Sequence, residues 1–231
     1  MNPRPTLGLL QRRECLLPTR RGWLALVLVF ALSGLAIVRG VHGFLAVHQP
    51  VPGGVLVVEG WIPDYAVAAT LAEFRRQHYA GIFTTGTPIE HGEVLSEHKT
   101  FADLNAAVLL RLGADPQSVH AIPSPAVGQD RTYAAAVAVR DWLHAHGLPR
   151  EKVNVISVGA HARRTRLLYE KAFGPSTQVG IIAIPDRDFE PARWWRSSQG
   201  FRVITGEVIA YVYARCLFHP EPQTPPLHPP Q

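Results

Sequence analysis

From Gly22 to Val38 the chain reads GWLALVLVFALSGLAIV, seventeen residues without a charge between Arg21 and Arg39. A helix of that length rises about 25 Å, close enough to a hydrocarbon core of about 30 Å for flanking arginines and local thinning to close the gap. A run apolar on every face cannot serve as the amphipathic helix of a globular core, and it exceeds the roughly 7 to 15 apolar residues of a cleaved signal peptide. Gly40 to Val47 also makes a poor cleavage site. The segment is therefore read as a retained, single transmembrane anchor. Arg4, Arg12, Arg13, Arg20 and Arg21 precede it against one acid, Glu14. By the positive-inside rule residues 1–21 stay in the cytoplasm, and the body crosses the inner membrane to the periplasm or cell exterior.

That basic terminus also accounts for the charge of the chain. Lysine and arginine number 23 against 18 acids, a net +5, of which the first 21 residues carry five arginines and one glutamate, or +4; the remainder holds 18 basic against 17 acidic residues. A nearly neutral body lacks the clustered cations that phosphate backbones require, so nucleic acid is excluded as a partner. With 47% hydrophobic and 18% charged positions in 231 residues, the body has enough apolar material for one sizeable core. Cys15 and Cys216 lie at opposite ends and outside any CxxC spacing, which indicates neither a disulfide framework nor a thiolate metal site.

After the anchor, residues 39–54 read as a linker, ending in HQPVPGG at His48 to Gly54. From residue 55 to 218 short apolar runs alternate with longer helical patterns. Val55–Val58, Gly81–Thr85, Val119–Ile122, Val153–Val158 and Val179–Ile184 are the expected strands. Helices are expected from Asp64, as N-cap, to about His78, from the Thr100/Asp103 capping pair to Gly113, from Thr132 to His146 behind Asp130, and from His161 to Phe173. Such alternation implies an α/β domain of the Rossmann-like, doubly wound kind, with a mainly parallel sheet covered on both faces. Val203–Phe218 is a closing helix whose Glu207, Tyr211 and Arg215 recur every four residues as a polar stripe; charges at mid-span argue against a second crossing and for packing on the sheet. Residues 219–231 hold six prolines and are expected to be disordered.

In open α/β sheets, ligands collect at the carboxyl ends of the strands, where helix N-termini present unpaired N–H groups. The strand ends here supply Glu59, Gly60 and Asp64; Thr85, Gly86 and Thr87; Asp130, Arg131 and Thr132; His161 and Arg164; and Asp186. Asp64 and Asp130 are equally explained as helix caps. Glu59 directly abuts VLVV, where a carboxylate is costly unless it is paired or faces a wet crevice. His161 and Arg164 stand one helical turn apart at the positive end of a helix, a setting suited to anion recognition and proton transfer, although a solvated face of Arg163, Arg164 and Arg166 has the same pattern. His91, Glu93, Glu97 and His98 form a dense patch without a metal-binding spacing, so no metal is assigned. Neither GxGxxG nor GxxxxGKS occurs, and Ser157 with Gly159 falls short of GxSxG, so the cofactor stays unknown. Trp194 and Trp195, between Arg193 and Arg196, are read as helix-packing residues.

The order of the short strand-end motifs from Val55 to Phe218 resembles the SanA, ElyC and YdcF group of bacterial proteins. The resemblance is carried by the first strand with Gly60, the TTG at Thr84–Gly86, the RTY at Arg131–Tyr133 and the HARR at His161–Arg164. GWIPDY at Gly60–Tyr65, WWRSSQGFR and the closing helix with Glu207 are similar to an anchored subgroup. Ala135 stands where the family often has Asn, and Ala160 where an aromatic residue usually precedes its His. The resemblance implies a Rossmann-like fold and a role in cell-envelope biogenesis or integrity, with peptidoglycan assembly or lipid-carrier metabolism as the setting. One branch implies a nucleoside-type cofactor, for which this chain has no recognisable site. The expected catalytic residues are His161, with Glu59 or Asp64 orienting it or activating water. Gly60, Thr85, Gly86, Thr87, Arg131, Thr132 and Arg164 are the expected binders of an anionic small molecule or lipid-linked ligand. A non-catalytic envelope-sensing or binding module would use the same crevice.

Overall fold

The computed structural model describes residues 17–89 and 96–220. His91, Glu93, most of the basic N-terminal segment and the proline-rich tail beyond Pro220 lie outside them. Two units divide at Arg39 and Gly40. Most of helix α1 (Arg20–Leu45) lies in the first. It is the one helix among the described residues long and apolar enough to cross a membrane, with a mean hydropathy of 2.4 in its most apolar stretch. Its apolar side chains, such as Leu24, Val27, Phe30 and Ile37, are exposed. The helix does not end at Val38 with the apolar run. Arg39 to Leu45 contain no proline and continue the same hydrogen-bonded turns, so the expected linker is shorter than 39–54.

The second unit is an α/β fold around five parallel strands, β1 (Val55–Val58), β2 (Ile82–Gly86), β3 (Val119–Pro123), β4 (Lys152–Val158) and β5 (Gln178–Ile184). The spatial order is β3-β2-β1-β4-β5, so β1 is central and the direction of winding reverses between β1 and β4. All four side chains of β1 are buried. Because successive strand residues face opposite sides, Val55 and Val57 enter one core and Leu56 and Val58 the other. Burying each contributes on the order of 2 kcal/mol before chain entropy is counted against it.

Helices α2 (Asp64–Arg76) and α3 (Phe101–Arg111) cover the Leu56 face through residues such as Ala66, Val67, Leu71 and Leu109. Helices α4 (Arg131–Ala145) and α5 (Ala162–Phe173) cover the Val57 face. Helix α6 (Ser198–Cys216) adds Ala214 to that core; instead of packing directly on the sheet, the expected arrangement, it packs on the short segment Pro191–Arg196, on α5 and on the turn after β4. Trp194 is buried in a short 3₁₀ segment (Pro191–Arg196) against α6, while Trp195 is partly exposed.

Residues 48–54 are not a free tether either. Gln49 exchanges both backbone hydrogen bonds with Ile181 on the outer edge of β5, at 2.8 and 3.0 Å. The buried Asn154 accepts from Val51 N at 2.8 Å and donates to the carbonyls of Val51 and Gly53, both at 2.9 Å. The segment is held because a bare sheet edge and a buried amide both require partners.

Candidate functional site

The carboxyl ends of β1, β2, β3 and β4 surround a cavity of about 420 Å³ at the point where the winding reverses. Of the residues singled out in the sequence, Glu59 and Gly60 enter it from β1, and Thr85, Gly86 and Thr87 from β2. Asp130, Arg131 and Thr132 enter from the start of α4, and His161 and Arg164 from the start of α5. Asp64 and Asp186 are not among the lining residues. Asp64 is also not the N-cap of α2: Pro63 occupies that position and Asp64 is the first helical residue. The ends of β1 and β2 close on each other tightly, since a Cβ at Gly60 would lie 2.5 Å from the Thr85 carbonyl oxygen and 2.7 Å from the Gly86 Cα. Both positions therefore require glycine. Asn105 of α3 fixes the same turn by donating to the carbonyls of Glu59 and Gly60, each at 3.1 Å.

Glu59 is 4% exposed. Thr165 donates its hydroxyl to the two carboxylate oxygens at 3.1 and 3.2 Å, and Ser157 and Trp61 hydrogen-bond the same group. Burial is the larger influence and raises its pKa, against the pull of those hydrogen bonds and of the charges of His161 and Arg164. Glu59 is thus both hydrogen-bonded and turned to the cavity, the two conditions under which a carboxyl group at the end of VLVV is tolerable.

The arrangement around His161 contains a residue that the strand-end reading missed. Glu207 lies on the buried stripe of α6 with Gly200, Ile204 and Ala214. Its Oε1 is 2.9 Å from His161 Nδ1, and Arg164 clasps it in a two-pronged pair, Nε to Oε2 at 2.8 Å and Nη2 to Oε1 at 2.9 Å. Burial alone would raise the Glu207 pKa, but hydrogen bonds from His161 and Arg164, with their charge, hold it down at about 2. Burial likewise opposes the charge on Arg164, and the Glu207 partner outweighs it and raises that pKa. Arg164 Nη2 also comes within 3.2 Å of His161 Nδ1, yet both are donors once Nδ1 carries its proton. The carboxylate at 2.9 Å is then the partner of Nδ1, which leaves the Nε2 lone pair as the imidazole group offered to a ligand. The ring of Trp61 packs on the imidazole at 4.3 Å between centroids. The signal available in the sequence was a lone acid on an otherwise apolar helix; its partners lie 43 or more residues upstream on α5 and in the turn before it.

The neighbouring arginines are not a solvated face. Arg163 bonds the Phe44 carbonyl and stacks on the Phe44 ring at 3.9 Å, and Arg166 pairs with Glu170 and Gln49. At the opposite end of the cavity the Thr85 and Ser124 hydroxyls are buried and have no hydrogen-bond partner among the described residues. Asp130 stands at the N-cap of α4 in the left-handed conformation, φ 54°, and its side chain makes no capping bond. No group of three or more His, Cys, Asp or Glu side chains suited to a metal occurs among the described residues. No family model, curated protein or solved structure matches the chain.

Proposed function

We propose that this is a single-pass inner-membrane protein whose Rossmann-like domain faces the periplasm or cell exterior, and that it acts in cell-envelope biogenesis. On this reading the domain binds and processes a phosphorylated or lipid-linked envelope precursor in the crevice at the strand ends. The anchor and its orientation rest on α1 with the arginines before it. The envelope setting rests on the motif resemblance, and the Rossmann-like reading on a parallel sheet whose winding reverses between β1 and β4. The observation that carries catalysis is the 2.9 Å contact of Glu207 Oε1 with His161 Nδ1 in a cavity that Glu59 also lines. A carboxylate so placed fixes the tautomer and stabilises the imidazolium that forms when Nε2 removes a proton from water or from a ligand hydroxyl. Glu59, which burial biases toward its protonated form, supplies the complementary acid.

The test is a thermal-shift screen of the full chain in detergent against sugar phosphates, nucleotides and polyprenyl phosphates. A true ligand at a hundredfold excess over its Kd stabilises the fold by about 2.7 kcal/mol. His161→Ala should keep that stabilisation and lose turnover. Turnover undiminished in His161→Ala would remove His161 from the chemistry, binding without turnover in the unaltered chain would assign the crevice to binding alone, and unmoved melting curves for every compound would remove the anionic ligand from the proposal.

A further inference from the structure

The two ends of the cavity differ in chemistry. At the β4 end the positive charge of Arg164 is matched by Glu207 in a two-pronged pair, and Glu59 and His161 complete a set with no surplus cation. At the β2–β3 end lie two buried hydroxyls, Thr85 at 0% and Ser124 at 3% exposure, which find no partner among the described residues. A buried hydroxyl left unpaired is unfavourable unless something absent from the chain itself completes it. The two are neighbours, since Ser124 N donates to the Gly86 carbonyl at 3.0 Å, one residue past Thr85. Two helices of eleven and fifteen residues begin beside them. A Cβ at Gly86 would sit 3.3 Å from the Ala102 amide nitrogen of α3, and α4 opens at Asp130 without a side-chain cap, with Thr132 lining the cavity. Helix N-termini of this kind favour an anion with several acceptor oxygens.

We propose that the Thr85/Ser124 end of the cavity binds a phosphoryl group of the ligand as a handle, so that the phosphate is held there and is not the group on which His161 acts. The inference rests on the crevice being the anionic-ligand site of the proposed function, and it specifies which part of the ligand goes where. Thr85 lies next to the end of β2 and His161 follows β4, two strand spacings away, or about 10 Å. The reacting bond would lie that far from the handle, as in a phosphorylated sugar or a longer phosphorylated precursor attacked away from its phosphate.

Calorimetric titration of the full chain in detergent with inorganic phosphate, glucose 1-phosphate and glucose tests this. Thr85→Val and Ser124→Ala should each weaken both phosphate-bearing probes about tenfold, the loss expected for a hydrogen bond to a charged group. His161→Ala should change phosphate affinity less than threefold, and glucose alone should bind far more weakly than its phosphate. Asp130→Asn should tighten phosphate by removing a like charge from the rim. Without ligand, Thr85→Val and Ser124→Ala should melt no lower than the unaltered chain, because each deletes an unpaired buried hydroxyl. A lower melting temperature would show that the hydroxyls serve the fold, and would overturn the handle. Phosphate affinity unchanged by Thr85→Val and Ser124→Ala would overturn the handle and leave the crevice as the anionic-ligand site of the proposed function. Failure of every phosphate-bearing probe to bind the unaltered chain would overturn both.

Discussion

Glu207 and Glu59 occupy the same region of the molecule and are driven in opposite directions. Hydrogen bonds and charge from His161 and Arg164 hold Glu207 at about 2, below an ordinary glutamate near 4.5, so it releases its proton more readily folded than unfolded. The stability it contributes is present above the unfolded value and is lost as pH falls from 4.5 through about 2. Glu59 is raised by burial, so the folded chain holds that proton above 4.5 where the unfolded chain has lost it, and stability declines as pH rises. Urea unfolding at a series of pH values should therefore give a rising limb below 4.5 that vanishes in Glu207→Gln. That variant, which leaves Arg164 without its counter-charge, should also lose about 3 kcal/mol at neutral pH. Glu59→Gln retains an acceptor for Thr165 and removes the ionisation, so it should be more stable than the parent at pH 7, with the gain shrinking toward pH 4. An unaltered slope above pH 4.5 in Glu59→Gln would contradict the assignment of that limb to Glu59.

At the scale of elements, the strands were legible because each is a short run dominated by apolar and β-branched residues. VLVV, IFTTG and VNVISV are too short and too rich in β-branched residues for a helix, and the turn residues around them set their limits. The rim residues followed from the topology rule alone, which is why ten of them converge on one cavity while Asp64, the first helical residue of α2 behind Pro63, and Asp186 do not. Glu207 was not legible as a site residue. Its spacing to Tyr211 and Arg215 imitates a solvated stripe, and only the packing of α6 on α5 turns it inward to Arg164. The ordered course of residues 48–54 was hidden for the same reason, since Pro and Gly mark a break in local structure but carry no record of Asn154, more than a hundred residues away. Asn154→Ala deletes three part-buried hydrogen bonds to that segment. It should cost about 2 to 3 kcal/mol and speed hydrogen exchange at the Val51 amide, while exchange at Val155 and Ile156 follows only the global loss. Protection at Val51 equal to that of the parent would mean the Gln49 pairing with β5 suffices to hold the segment.

At the scale of the molecule, the proposed topology gives the two cysteines different surroundings, and each reports on one side. Cys216 ends α6 on the surface of the α/β unit, exposed and unpaired. Cys15 belongs to the arginine-rich segment ahead of the apolar run. In the proposed topology the five arginines before Gly22 keep that segment in the cytoplasm, because moving each guanidinium through the bilayer costs far more than leaving it where it was synthesised. In spheroplasts, a membrane-impermeant maleimide should then label Cys216 and spare Cys15, and permeabilisation should expose Cys15. Cys216→Ser should abolish the first labelling and Cys15→Ser the second, so each signal is traceable to its residue. The opposite order would put the crevice in the cytosol, beside nucleotides and sugar phosphates instead of envelope precursors. Loss of the N-terminal segment from the mature chain would show as a mass decrease and as no Cys15 labelling under any condition, which separates a cleaved leader from a retained anchor.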